Sequence, residues 1–211
     1  MKCLVTGFEA FGNFAVNPSE EVIQLMPGEL TLRVGKALNI ERSVLPCCCK
    51  QMWQKLAELV GKKSKPLLLV MTGLASDRDT ICLERFALNI SDYRIPDNRG
   101  HQPKDKLIKK KGPVGLQSNV PLELLEKRLN RKGFRTDISN YAGSYLCNEI
   151  YYQALSTWQK KHKTAILFVH IPDPDTYAKR HRTGLTRAET LKQFALAIED
   201  IVRFSYNWLK R

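Results

Sequence analysis

The chain has 211 residues, 43% of them hydrophobic, and 34 lysines and arginines against 21 aspartates and glutamates, for a formal net charge of +13. That length and apolar content suit one globular domain over residues 1–211 with a substantial core. They exclude a helix that spans a bilayer, because no apolar run approaches the roughly 18 residues required, and six cysteines without a signal-peptide pattern read as reduced thiols of a soluble, cytoplasmic protein rather than a disulfide framework.

The opening "KCLVTG" is a short apolar run ending in glycine and reads as a buried strand. In "NPSEEVIQLM", Asn17 stands as N-cap, Pro18 at the first helical position and Glu20 in capping-box register, which predicts a helix start. Strand-like stretches within 31–45 precede helix-like "KQMWQKLAELVGKK" and then "PLLLVMTG", a central strand. "DTICLERFALNI" reads as extended, and the polar, turn-rich stretch from 91 to about 119 predicts a long surface excursion. A helix from about 121 closes at Gly133, "FRTDIS" is a strand, and another helix begins near Tyr145 or Cys147. The apolar strand "AILFVHIP" leads into a segment around Asp173 and Asp175 whose prolines suggest an exposed turn. A long final helix opens on the capping box "TRAE" and carries Leu191, Phe194, Ile198, Ile201 and Val202 as one apolar stripe. Strands and helices alternate throughout, which predicts a single three-layer α/β/α domain with a mainly parallel, mixed, twisted central sheet.

In such a sheet, active sites gather where the strands end, so "TGFEAFG", "TGLASDR", "SNYAGSYLCN" and "VHIPDPD" are the informative edges. Neither glycine-bearing turn is a phosphate loop or a dinucleotide fingerprint. The three adjacent cysteines 47–49 cannot aim at one ion, and no CxxC pair exists, so no metal site is expected. Basic clusters at 104–111, 127–135, 159–163 and 179–182 are scattered and nearly free of aromatics, which predicts a solvated basic surface rather than a nucleic-acid platform.

A nucleophilic cysteine is mostly thiol at neutral pH, and making thiolate the main form takes roughly 2 kcal/mol. A helix N-terminus usually supplies about 0.3 to 1 kcal/mol, so a histidine partner is needed. His101, His162 and His181 lie in polar or basic surroundings; only His170 ends an apolar strand. Cys147 opens a helix, whereas Cys3 and Cys82 sit inside strand-like runs and look structural. A third group must hold the imidazole tautomer, and Glu84, a carboxylate inside an extended apolar stretch, competes for that role with Asp173 and Asp175; its other reading is a salt bridge to Arg85 or Arg78.

Taken together, "TGFEAFG" with "NPS", "GLASDR", "ICLERFALNISDYRIPDNRGHQP", "SNYAGSYLCNEIYY" and "FVHIP" resemble the pyroglutamyl peptidase I family of cysteine peptidases, over residues 4 to about 172. The resemblance implies removal of an N-terminal pyroglutamyl residue from peptides through a thioester, with no metal or cofactor. It implies Cys147 as nucleophile, His170 as base and then acid, Glu84 as orienting carboxylate and Arg94 near the oxyanion. For the lactam ring it implies Phe8 and Phe11 as a sandwiching pair, with Asn17, the backbone at Leu74, Ile95 and Leu146 lining the pocket. It further implies homo-oligomers, often tetramers; no membrane partner is expected, because no apolar run is long enough to span a bilayer. Three departures touch loop shape: Asp77 and Leu167 stand where glycines are usual, and 173–182 is unlike the expected turn. The alternatives are a basic nucleic-acid-binding protein on the same fold and a catalytically impaired binder of pyroglutamyl ends.

Overall fold

The computed structural model describes residues 2–12, 14–32, 36–61, 68–159 and 164–210. Seven strands form the central sheet in the order β2-β3-β1-β4-β9-β5-β8, with β1 (Lys2–Phe8), β2 (Glu29–Thr31), β3 (Ala37–Leu45), β4 (Leu68–Leu74), β5 (Ile81–Glu84), β8 (Thr136–Ser139) and β9 (Ala165–Ile171). The pairs β3·β1, β1·β4, β4·β9 and β5·β8 are parallel, while β5·β9 and β2·β3 are antiparallel. A two-stranded ribbon of β6 (Phe86–Leu88) and β7 (Gly115–Gln117) stands beside the sheet.

The central strands are apolar on both faces because both faces are covered. On β4 and β9, Leu68, Val70, Leu167 and Val169 point into one core with α1 (Pro18–Leu25), α3 (Leu122–Arg131) and the terminal helix α6 (Arg187–Leu209). Their alternating neighbours Leu69, Met71, Ile166 and Phe168 point into a second core with α2 (Cys49–Val60) and α4 (Leu146–Ala154). Each of these eight side chains is wholly buried. Truncating one to alanine costs about 2 to 5 kcal/mol.

The caps explain where the helices begin. Asn17 accepts from the Ser19 amide at 3.0 Å, and Pro18 follows as the first helical residue. The expected capping box does not close there, because the Glu20 carboxylate accepts from Gln24 instead. At α6 the box does close between Thr186 and Glu189. The expected turn after β9 is a helix, α5 (Pro174–His181), since Asp173 accepts from the Thr176 amide and Pro174 sits in the first turn, where its missing N–H is harmless.

The excursion after β6 is more firmly anchored than a surface loop. Tyr93 is wholly buried and donates to Glu149 of α4 at 2.7 Å. Asp97, also buried, accepts from the amides of Cys49, Arg99 and His101. Polar sequence here marks internal hydrogen bonding rather than solvation, and the anchored segment forms one wall of the site.

Candidate active site

β5 runs against its neighbour β9, in a register that sets Cys82 opposite His170 and Glu84 opposite Phe168. Glu84 and His170 are therefore diagonal neighbours on one face, within reach across about 7 to 8 Å of backbone. Glu84 Oε1 lies 2.7 Å from His170 Nδ1. Because a carboxylate only accepts, the ring nitrogen donates, which leaves Nε2 free to face the cysteine. Tyr151 of α4 donates to the Glu84 carbonyl at 3.0 Å and ties that strand end to the helix. The Arg78 guanidinium stands 3.8 Å from the same Oε1 and donates to the Tyr141 carbonyl.

Cys147 occupies the first turn of α4, beyond a glycine turn in "YAGSY" where Gly143 has φ +85°. That left-handed conformation suits glycine and turns the chain from the 139–145 loop into the helix. The sulfur rests against β4: a Cβ on Gly73 would come within 2.9 Å of it and 3.0 Å of the Phe168 ring. Gly73 pairs with His170 across the β4·β9 ladder, so the glycine gap and the imidazole lie side by side.

Burial alone would disfavour a charged His170. The charge and hydrogen bond of Cys147, and then the hydrogen bond and charge of Glu84, outweigh it and push the imidazole up to about 9. At neutral pH the protonated ring is therefore favoured. Burial pushes up the thiols of the wholly buried Cys3 and of Cys82 within β5, as it does those of Cys47 and Cys49.

A cavity of about 540 Å³ opens above this group, and Cys147 and His170 form part of its lining. Of the sequence-predicted residues, Phe8, Phe11, Asn17, Leu74, Arg94, Ile95 and Leu146 line it as well; Glu84 stands behind His170. Phe8, at the end of β1, is almost wholly buried, and its amide donates to Ser19, which in turn donates to Asn17. Asn17 also donates to the Glu9 carbonyl at 3.0 Å, so it acts as a strut under the cavity. Ile95 and Arg94 are exposed at the wall supplied by the excursion, and among the described residues the Arg94 guanidinium meets no carboxylate.

The other histidines are elsewhere. His101 is exposed, His181 Nε2 donates to the Asp79 carbonyl at 2.6 Å, and His162 lies outside the described residues. Asp173 and Asp175 do not orient the imidazole; Asp173 caps α5 and both approach Arg187. Sequence reasoning missed Phe14, Tyr145 and Cys47 in the lining. Tyr145 was the most accessible of these, because it directly precedes the helix of Cys147; its ring lies 6.2 Å from Phe11 and its hydroxyl donates to the Pro96 carbonyl. Among the described residues no group of three His, Cys, Asp or Glu side chains could hold a metal ion.

The arrangement matches known proteins over nearly its whole length. The family model described as Pyroglutamyl peptidase matches residues 1–203. A pyrrolidone-carboxylate peptidase of Thermosipho melanesiensis is 36% identical over 173 residues, covering 82% of this chain and 83% of that protein. One from Fusobacterium nucleatum is 33% identical over 203 residues, with 95% and 92% covered. Among solved structures, the pyrrolidone carboxyl peptidase of Thermus thermophilus superposes with a TM-score of 0.83 at 32% identity, covering 97% of this chain and all of that one. That of Thermococcus litoralis gives 0.85 at 30% identity, with 99% and 94% covered.

Proposed function

The chain belongs to the pyroglutamyl peptidase family, and from that premise we propose how its residues remove an N-terminal pyroglutamyl group from a peptide. The chain is a cysteine-type peptidase of this specificity. Cys147 is the nucleophile, His170 the acid and base, and Glu84 the carboxylate that fixes the ring. The observation that carries these roles is the buried 2.7 Å contact between Glu84 Oε1 and His170 Nδ1, behind a cavity that His170 lines together with Cys147.

The Cys147 sulfur attacks the carbonyl carbon that joins pyroglutamate to the second residue, and the carbonyl electrons move to oxygen. Arg94 and the Cys147 amide, in the first turn of α4, stabilise that oxyanion. The His170 imidazolium gives its Nε2 proton to the departing amine, the C–N bond breaks, and a thioester remains. Water then loses a proton to the neutral ring, adds to the thioester and releases pyroglutamic acid, and the sulfur leaves as thiolate beside a reprotonated His170. Glu84 keeps the ring oriented through both proton transfers.

The lactam is neutral, flat and partly apolar, and the phenyl rings of Phe8 and Phe11 with Leu74, Ile95 and Leu146 suit it. Backbone groups at the strand ends would pair with its N–H and C=O. A prolyl end lacks that carbonyl and leaves a donor unpaired, at about 1 to 3 kcal/mol. The test is a fluorogenic pyroglutamyl amide beside its prolyl analogue: the first is hydrolysed, the second poorly, and Cys147→Ala abolishes the reaction. Equal turnover of the two, or an active Cys147→Ala, defeats the reading.

The proposal also covers a single domain over 1–211, supported by a sheet that runs through the described residues, and homo-oligomeric assembly, which sedimentation velocity would test. Six free thiols support a reducing, cytoplasmic setting, and no described helix is long and apolar enough to cross a membrane.

A further inference from the structure

One of the four basic clusters stands on an ordered projection. Residues 104–111, "KDKLIKKK", hold five lysines against one aspartate. All five lysines are exposed. Lys104 approaches Asp92 at 3.9 Å, but Lys106, Lys109, Lys110 and Lys111 form no ion pair with a described carboxylate. Other basic residues of the chain do find partners: Arg128 and Lys132 close on Asp200, and Arg187 on Glu21 and Asp175. Two aliphatic side chains frame the lysines in the open, Leu107 at 62% and Val114 at 85% of full exposure.

This projection is not a loose tail. The buried Asn89 gathers it from one point: its amide donates to the Val114 carbonyl, its Oδ1 accepts from the Lys109 amide, and its Nδ2 donates to the carbonyls of Lys109 and Gly112. Tyr152 of α4 donates to the Pro113 carbonyl at 2.7 Å, and Ser91 and Lys106 exchange backbone bonds at the base. The Lys104 ammonium turns back to donate to the Tyr93 carbonyl at 2.5 Å, so four unpaired lysines and two exposed aliphatic side chains are carried on one anchored knuckle. A merely solvated loop has no need of that ordering, which costs conformational entropy.

We propose that the knuckle spanning 104–114 is a docking surface for an anionic lipid bilayer. Lysines beside exposed aliphatics match a headgroup layer with an apolar interior beneath it, where the ammonium groups meet phosphate and carboxylate while Leu107 and Val114 enter the acyl boundary. The segment contains no arginine and no aromatic residue, the types that read or stack on nucleic acid. A second copy is a poor occupant, because each copy carries +13 and would present the same unpaired lysines. The contact is peripheral.

The test is co-sedimentation of the full chain with neutral phosphatidylcholine vesicles and with vesicles holding about 30% phosphatidylserine. The protein should partition to the anionic vesicles at about 0.1 M salt and largely release at about 0.5 M. Each lysine at such a surface multiplies partitioning about fivefold, so the triple variant Lys109→Glu, Lys110→Glu, Lys111→Glu should lose at least about a hundredfold. The double variant Leu107→Ser, Val114→Ser should lose about tenfold, and that loss should persist in high salt. Both should keep full activity on the small pyroglutamyl amide, which shows that they are folded. Equal partitioning to the two vesicle types, or a triple variant that binds as well as the parent, overturns the proposal. So does single-stranded RNA that strips the protein from vesicles, or a change of oligomeric state on charge reversal, since either outcome gives the knuckle a different occupant.

Discussion

Two buried carboxylates in this fold are treated in opposite ways. Asp200, on α6, has both oxygens engaged: Oδ2 accepts from Arg128 Nε at 2.6 Å, and Oδ1 from Arg128 Nη2 at 2.7 Å and Lys132 Nζ at 2.5 Å. Glu84 is more deeply buried, wholly so, yet its Oε1 serves His170 and the more distant Arg78 while its Oε2 meets no hydrogen-bond partner among the described residues. A completed ion pair staples α3 to α6. An incomplete one holds a ring that, on the proposed mechanism, changes its charge during each turnover, and fully satisfying the carboxylate elsewhere would weaken its hold on that ring. Leaving a buried polar atom unpaired costs about 1 to 3 kcal/mol, and a fold tolerates that where chemistry needs it.

The sharpest way to break the comparison is to neutralise each carboxylate without changing its shape. Glu84→Gln should lower kcat by roughly 10² to 10⁴-fold, because an amide no longer specifies the donating tautomer or stabilises the imidazolium. Its thermal stability should fall near neutral pH and approach the parent's near pH 9, since Glu84 helps hold a ring proton that is present only below that value. A Glu84→Gln enzyme with near-normal kcat would make Glu84 the plain ion-pair partner of Arg78. Gly73→Ala probes the same site from the strand below. A methyl there collides with Cys147 Sγ and Phe168, so steady-state kinetics should show kcat reduced by about 10- to 100-fold through displacement of the sulfur. Unchanged kinetics would mean that the sulfur is free to shift without loss.

Asp200→Asn should spare the chemistry. Arg128 and Lys132 are 37% and 46% exposed, so water partly compensates them, and the expected loss is about 1 to 3 kcal/mol in denaturant unfolding, with kcat on the pyroglutamyl amide unaltered.

The two carboxylates also differed in how far the sequence disclosed them. Glu84 stood out as a charge inside an extended apolar stretch, and a strand end is where such a sheet builds its site. Asp200 did not, because on a helix it reads as one more polar residue between Ile198 and Ile201. The layers were legible for the same reason as Glu84: the continuous apolar runs of β4 and β9 need cover on both faces. Strand direction was not. Nothing in "ICLE" says that β5 runs antiparallel to β9, yet that reversal brings Glu84 to His170. Nor could polarity distinguish a solvated loop from one folded on internal bonds, so the buried Tyr93 and Asp97 went unseen, and the prolines around Asp173 concealed a helix that begins with one.

Titration offers the finest separation. For His170 the folded value, about 9, lies above the ordinary 6.5. Its contribution to stability is therefore complete below pH 6.5 and fades as pH rises toward 9. Asp200 is the opposite case: burial alone would raise it, but the bonds from Arg128 and Lys132 outweigh that and hold it below 3.8. What it contributes is complete above pH 3.8 and is lost as pH falls through the depressed value. In unfolding free energy measured against pH, Asp200→Asn should remove part of the acid-side slope and leave the alkaline side alone. Glu84→Gln should flatten the slope between pH 6.5 and 9, since less then holds the ring proton. Each change is at most one proton's worth, about 1.4 kcal/mol per pH unit. The Glu84 variant should also bring the alkaline limb of kcat/KM below its parental position near pH 9. If both variants flattened the same side, the two carboxylates would be doing one job, and the distinction between staple and catalytic support would fail.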